Sequence, residues 1–465
     1  MNRETAAMMG RKKVVPLGEI VDFNPRFAKD ELSDDSLASF IPMKCVEEES
    51  GRFQPLGDRK VAEVRKGYTP FRDGDVIFAK VTPCMENGKA AVLKGLTNGV
   101  GFGSTEFFAL RPKTGLDADY LLHFILQSDF RKEAARNMTG AVGLRRVPKT
   151  YLEQQRIPLP PLPEQRRIVA EIEKQFTRLE AGVAALQRVQ ANLKRYRAAV
   201  LKAACEGRLV PTEAELAKTE KRNSKFETGE ALLARILAER QKNWQGRGQY
   251  KEPATTATLK LPPLSEGWTW ATVEQLGRAT TGFTPPKNDE SFFGGDIPFF
   301  KPSDLDVGYN VREFRDSLTE AGAEHGRVLP PLSILVTCIG ATIGKTGLAR
   351  VRCTTNQQIN ALTVPTELMS AEFVYWSFNS PFGQRQIIDK ASATTLPILN
   401  KSRFQALALP VPPLAEQTRI VAEVEQRLSV VEELEAAVFA NLQRATRLRQ
   451  SILQKAFSGK LLTSQ

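Results

Sequence analysis

Histidine is nearly missing from this chain. Its 465 residues hold only His123 and His325, which argues against a His-based catalytic triad and a His/Cys zinc site. The five cysteines (Cys45, Cys84, Cys205, Cys338 and Cys353) show no Cys-x-x-Cys spacing. With no recognisable signal peptide, they read as reduced thiols of a cytoplasmic protein. No apolar run reaches the roughly 18 residues that a membrane-spanning helix needs. Neither paired carboxylates nor a nucleophile beside a base stand out, so no catalytic residue and no metal ligand is expected. Acidic charge is also in deficit. Lys and Arg number 65 against 53 Asp and Glu, a net charge of +12, which favours a polyanionic partner. Hydrophobic residues make up 42%, enough for ordinary cores, and the length fits two to four domains.

What the chain does have is a repeat. Pro160-Pro161-Leu162-Pro163-Glu164-Gln165 leads into Ile168-Val169-Ala170-Glu171, and Pro412-Pro413-Leu414-Ala415-Glu416-Gln417 leads into Ile420-Val421-Ala422-Glu423. The offset from Glu164 to Glu416 is 252 residues, and it also relates Leu201 to Leu453 and Gly207 to Gly459. A register kept this long is not chance. Each copy predicts one long helix. The prolines force an extended approach, Glu164 and Glu416 place negative charge at a helix start, and Gly207 and Gly459 suit the ends. About 42 residues would span roughly 60 Å. Apolar residues recur every three or four positions: Ile168, Ile172, Phe176, Leu179, Val183, Leu186, Leu193, Val200 and Ala204 in the first, Ile420, Val424, Leu428, Val431, Val438, Leu442, Ala445, Ile452 and Ala456 in the second. That is a coiled-coil stripe. Phe176, Leu179, Leu186 and Leu193 are expected to pair with Leu428, Val431, Val438 and Leu442. A pseudo-two-fold relation between the halves would make the helices antiparallel.

The organisation that follows is a basic tail (1–13), a first globular domain (14–159), a first spacer helix (160–209), a polar linker with a short helix (210–264), a second globular domain (265–411) and a second spacer helix (412–465). Ser39–Met43, Asp75–Ala79 and Glu106–Leu110 read as strands and Asp119–Asn137 as a helix. In the second domain Ile297–Lys301, Ser333–Val336 and Asn356–Val364 read as strands and Ala371–Asp389 as a helix. The fold class is therefore α+β, two mixed α/β domains joined by two long paired helices. The helices are far more alike than the domains, as expected of two heads doing one job on different targets.

Gly340-Ala341-Thr342-Ile343-Gly344-Lys345-Thr346 is one residue short of a phosphate-binding P-loop, since Ile339 stands where the first glycine belongs. It remains a Gly-rich loop carrying a lysine and hydroxyls, able to approach a phosphate backbone, or else a plain hairpin turn. Lys80 through Lys89, with Thr82 and Asn87, is its counterpart. Gly99–Gly103 and Asn24-Pro25-Arg26-Phe27 read as turns. Arg145, Arg146 and Lys149 precede the first long helix, in a loop with Thr139 and Gly140. Asn400 and Lys401 precede the second, in a loop with Thr394 and Thr395; Lys401 matches Lys149 at the 252 offset. Amides and cations there can contact phosphates and base edges, or form a merely solvated cluster. Gln357, in the run Asn356-Gln357-Gln358, and Lys301 complete the candidate contacts.

The paired Pro-Pro-Leu-x-Glu-Gln-x-x-Ile-Val-Ala-Glu segments and the helix ends Leu201–Leu209 and Leu453–Leu461 are similar to those of the specificity subunits of type I restriction–modification enzymes, in the family's order along the chain. The resemblance implies two target-recognition domains, each reading half of a bipartite double-stranded DNA sequence. It implies helices that set the gap and dock two modification subunits, which bind S-adenosylmethionine and methylate adenine. It also implies restriction subunits that use ATP and Mg²⁺, no cofactor on this chain, and no catalytic role for it. A self-contained DNA methyltransferase or nuclease is the alternative; a purely structural coiled-coil scaffold is a third reading.

Overall fold

The computed structural model describes residues 13–28, 31–141, 143–219, 226–244, 248–392 and 396–462. The tail expected at 1–13 lies almost wholly outside them, as do Thr394 and Thr395. The chain folds as two compact units. The first holds residues 1–188 and 438–465, the second residues 189–437.

In the first unit, the strand Val14–Pro16 pairs antiparallel with Arg156–Pro158, just ahead of the proline run. A four-stranded antiparallel sheet runs Val21–Phe23, Phe107–Pro112, Val76–Ala79, Ala90–Val92. A second sheet sets Leu37–Ile41 parallel to Val100–Gly103, with Asp58–Lys60 and Thr69–Arg72 at its edges. Gly99–Gly103 is therefore mostly strand rather than turn. The reason is packing: a Cβ on Gly103 would fall within 2.8 Å of the Phe71 ring and closer still to the Ile41 carbonyl oxygen. The single helix expected over Asp119–Asn137 is two helices, α1 (Ala118–Ile125) and α2 (Ser128–Arg136). Asp117 caps the first through its carboxylate. From them Tyr120, Leu121, Ile125, Phe130 and Ala134 enter the core.

The long helix α3 (Leu162–Cys205) contributes its N-terminal half to this unit. Ile168, Ile172 and Phe176 share a core there with Ile452, Leu453, Ala456 and Phe457 of α6 (Leu414–Phe457).

The second unit repeats the plan. Thr269–Thr272 pairs with Ala408–Val411, and a four-stranded antiparallel sheet runs Arg278–Thr281, Thr363 to Ile359, Ile334–Thr337, Thr346–Leu348. Phe293–Phe300 lies parallel to Thr354–Thr355. The helix expected over Ala371–Asp389 is again two, α4 (Ala371–Asn379) and α5 (Pro381–Lys390). Pro381 can only open a helix, and the Ser380 hydroxyl caps the new one by accepting from Gly383 N–H. Val200, Leu201 and Ala204 of α3 share this core with Ile420, Val424 and Leu428 of α6. Among the described residues, the stretch between α3 and the second unit's strands holds two helices, Glu213–Thr219 and Gly229–Lys242.

The N-terminal half of each long helix thus meets the C-terminal half of the other, an antiparallel pairing. Each is 44 residues long, roughly 66 Å at 1.5 Å per residue. One ion pair fixes the register and occurs twice. In the first unit Arg449 meets Glu180 at 3.4 Å; in the second Arg197 meets Glu432 at 3.3 Å. Arg197 and Arg449 are 252 residues apart, as are Glu180 and Glu432, so the contact is its own image under exchange of the two copies. Leu193, Val431 and Val438 are buried, while Leu179, Leu186 and Leu442 are half-buried. Both helices end on a glycine in the left-handed region, Gly207 (φ 65°) and Gly459 (φ 81°). Arg208 N–H returns to Ala203 O and Lys460 N–H to Lys455 O, each at 2.9 Å.

The glutamine of the repeated motif joins helix to head. Gln165 is fully buried; its Oε1 accepts from Asp117 N–H (2.9 Å) and its Nε2 donates to Gly115 O and Pro160 O (both 2.8 Å). Gln417 accepts from Ser370 N–H and donates to Pro412 O, both 2.9 Å. In each case the amide ties the proline run to the cap of the head's first core helix.

Candidate nucleic-acid interface

The first unit gathers its polar side chains where the strand Val76–Ala79 ends. There the chain turns through Lys80–Lys89, and the loop ahead of α3 is stitched to that turn by backbone bonds. Thr82 N–H donates to Arg145 O (3.0 Å), Val147 N–H to Lys80 O (2.9 Å) and Lys80 N–H to Glu106 O (2.9 Å). This brings Lys80, Thr82, Glu106, Arg145 and Arg146 together. Arg146 clasps Glu106 with both ends of its fork, Nε to Oε2 at 2.9 Å and Nη2 to Oε1 at 2.7 Å. The hydrogen bonds from Arg146 hold the Glu106 carboxyl below its ordinary value, against the pull of partial burial.

Lys80 Nζ lies 5.4 Å from the centre of the Phe108 ring and Lys149 Nζ lies 5.9 Å from that of Phe23; the two rings meet edge to face at 6.4 Å. Lys149 also pairs with Glu153 at 3.3 Å. Arg145 is exposed, with no acceptor for its side chain among the described residues. The Thr82 hydroxyl donates to Glu86 (3.2 Å). Asn87 and Lys89 are engaged elsewhere, with Glu48 (2.9 Å) and Met43 O (3.4 Å).

The second unit uses the same stitches. Gly340 N–H donates to Pro397 O (3.1 Å), Leu399 N–H to Cys338 O (2.8 Å) and Cys338 N–H to Gln358 O (2.7 Å). Position for position, Cys338 stands for Lys80, Gln358 for Glu106, Ile398 for Arg146 and Lys401 for Lys149. The strand registers add Asn360 for Phe108 and Ala279 for Phe23. One frame therefore carries two chemistries. The first unit offers cations, a carboxylate and aromatic rings; the second offers amides, a methyl-rich chain and a thiol.

Asn360 donates to Leu399 O (3.1 Å) and accepts from the Thr281 hydroxyl (2.7 Å). Asn356 and Gln358 bond side chain to side chain at 3.0 Å. Burial pushes the Cys338 thiol up to about 12, so it is a packing group rather than a nucleophile. Gln357 is exposed and accepts from the Thr284 hydroxyl (2.6 Å). Asn400 caps the short helix Lys401–Gln405 by accepting from Arg403 N–H (2.9 Å). Lys401 is exposed, with no acceptor among the described residues.

Gly340–Lys345 is a hairpin turn between Ile334–Thr337 and Thr346–Leu348, with Thr342 exposed on it. Lys345 pairs with Asp306. Lys301 stands apart, paired with Asp316 at 2.6 Å beside the Phe299 ring.

Glu106, Phe23, Phe108 and Asn360 belong to these groups, and sequence reading missed them as site residues; Gln358 stood in the amide run already named. The 252 offset aligns 145–149 with 397–401 but fails at Lys80 and Cys338, where the heads differ in loop length. Among the described residues, no cluster of three or more His, Cys, Asp and Glu could hold a metal ion, and no helix is long and apolar enough to cross a membrane.

Comparison with known proteins agrees with this two-fold plan. The family model of the type I restriction modification DNA specificity domain matches twice, over residues 9–186 and 265–438. The chain is 24% identical to the type I restriction enzyme EcoAI specificity subunit of Escherichia coli, covering 95% of this chain and 82% of that one. It is 42% identical to the Escherichia coli EcoEI specificity subunit over 34% of this chain and 27% of that one. Two solved structures share the fold. One is a chain from a type I R-M system studied for its complex assembly and conformational transition (TM-score 0.66, 24% identity, 97% of this chain and 98% of that one). The other is the HsdS subunit from Thermoanaerobacter tengcongensis (TM-score 0.50, 23% identity, 97% of each).

Proposed function

This chain belongs to the family of type I restriction–modification DNA specificity subunits, and from that premise we propose that each of its two units reads one half of a bipartite double-stranded DNA target. The observation that carries the reading is the shared stitching: the same backbone bonds present Lys80, Glu106 and Arg146 in one unit and Cys338, Gln358 and Ile398 in the other. A frame held constant while its side chains change is what two different half-sites require. Amides and carboxylates discriminate base edges, and cations hold phosphates. Arg145, Lys149 and Lys401, exposed at the frame, are the phosphate contacts of this proposal. Lys80, Arg146 and Gln357 are its base-edge candidates; Thr82, Asn87, Lys89, Lys301, Thr342, Lys345 and Asn400 serve mainly to shape the loops around them.

On this reading the paired helices fix the gap between half-sites and dock two modification subunits. Those subunits bind S-adenosylmethionine and methylate adenine, while restriction subunits bring ATP and Mg²⁺, all in the cytoplasm. The chain itself binds no cofactor and catalyses nothing. Incubating the purified chain with DNA, labelled S-adenosylmethionine, Mg²⁺ and ATP tests this: no methyl transfer or cleavage is expected until modification subunits are added. Methylation by the chain alone would favour a self-contained enzyme. Specific binding is expected to weaken steeply with salt, which a purely structural scaffold would not show.

A further inference from the structure

The second unit carries a feature without a counterpart ahead of the first unit's opening strand among the described residues. The helix Gly229–Lys242, in the stretch between the repeats, lies over the start of the second head. Its Thr228 hydroxyl caps it by accepting from Ala231 N–H (3.2 Å), and Leu232, Leu233 and Ile236 are buried in the same core as Ala271, Val273 and Leu276. At its far end Arg240 Nη1 donates to the carbonyls of Glu274 and Gly277 (2.9 Å to the latter), pinning the helix to the turn after Val273–Leu276. A cavity of about 740 Å³ opens there, with Arg240, Trp244, Arg278 and Lys401 on its walls.

The cavity walls carry three cations, Arg240, Arg278 and Lys401, against two carboxylates, Glu239 and Glu274. Glu239 accepts from Asn243 (2.7 Å) and faces Lys242, and Glu274 accepts from the amides of Gln405 (3.3 Å) and Ala254 (3.4 Å). Arg240 is held by carbonyl oxygens, not by a carboxylate. Arg278 and Lys401 are exposed and meet no acceptor among the described residues. Trp244, 43% exposed, stands against Tyr250 edge to face at 5.6 Å. An excess of cations, none of them ion-paired with a carboxylate among the described residues, beside an aromatic N–H donor, suits an extended polyanion rather than a neutral ligand.

We infer that this cavity holds the sugar–phosphate backbone of the duplex that the second unit reads, adding affinity without sequence information. The inference rests on the DNA-reading role proposed above. Lys401 joins this wing to the reading frame.

The test uses the full chain assembled with its modification subunits, with target and scrambled duplexes titrated over a range of salt. Arg278→Ala should weaken both duplexes by the same factor, several-fold, and lower the log–log salt slope by about 1. Arg278→Lys should restore the slope, and Trp244→Ala should weaken both duplexes without changing it. The methylated motif should be unchanged throughout. An unaltered affinity and slope in Arg278→Ala, or a loss confined to the target, would overturn the inference. A wild-type assembly with no preference for its target would overturn the reading beneath it as well.

Discussion

Replacing the motif glutamine by methionine should loosen each head from its rod by a calculable amount. Methionine keeps the volume and length of glutamine while removing its polar atoms, so the loss is one of hydrogen bonds rather than of packing. At Gln165 three groups lose their partner, the half-buried Asp117 N–H and Gly115 carbonyl and the buried Pro160 carbonyl. Each orphaned group costs about 1 kcal/mol at the lower end of the usual range, giving about 3 kcal/mol. For a unit of this size that lowers the melting temperature by roughly 6–12 °C. At Gln417 two groups lose their partner, Ser370 N–H and Pro412 O, so about 2 kcal/mol and roughly 4–8 °C are expected. Calorimetry of the two single variants reads both numbers. A shift below about 2 °C for Gln165→Met, or a larger loss at Gln417 than at Gln165, would refute the view that this amide is the fastening.

The repeated ion pair should be unequal in its two settings. Arg449, whose side chain is 14% exposed, stacks over Phe176 at 3.9 Å and donates to Glu49 O at 2.9 Å, so Arg449→Ala should cost about 1–3 kcal/mol. Arg197, 33% exposed, should cost at most about 1 kcal/mol; urea denaturation separates them. Burial drives His123 from 6.5 down to about 4. Its folded form therefore binds fewer protons than the unfolded chain between those values, and stability should fall as pH drops from 6.5 towards 4. His123→Phe should flatten that part of a stability–pH curve; an unchanged curve would exclude His123 as the cause. Glu106→Gln should release Arg146 and alter the first half-site alone in a binding-site selection, with changes in both halves counting against separate heads. One helical turn inserted between Leu186 and Leu193 should lengthen the gap and leave both half-sites as they were.

The rods were legible because a helix repeats its needs locally. Prolines before, glycine after and an apolar residue every three or four positions sufficed to place helices that run Leu162–Cys205 and Leu414–Phe457. The breaks between α1 and α2 and between α4 and α5 were not, since one run of helix-compatible residues does not show where a core forces a turn; Pro381 was the one clue. Gly99–Gly103 misled for a related reason. Its glycines serve a close approach between strands distant in sequence, which composition cannot distinguish from a turn. In the reading frame, Lys80, Arg145 and Arg146 were visible as loop cations. Glu106 was not, because sheet pairing brings it in and it differs in residue type from Gln358, which stands opposite it at the same 252 offset.

The most direct measurement is a base-resolution map of methylated adenines in DNA modified by this chain together with its modification subunits. Two unlike specified half-sites separated by one constant unspecified gap are expected. A single uninterrupted motif, or halves whose spacing varies from site to site, would contradict a protein in which two paired helices hold two different readers.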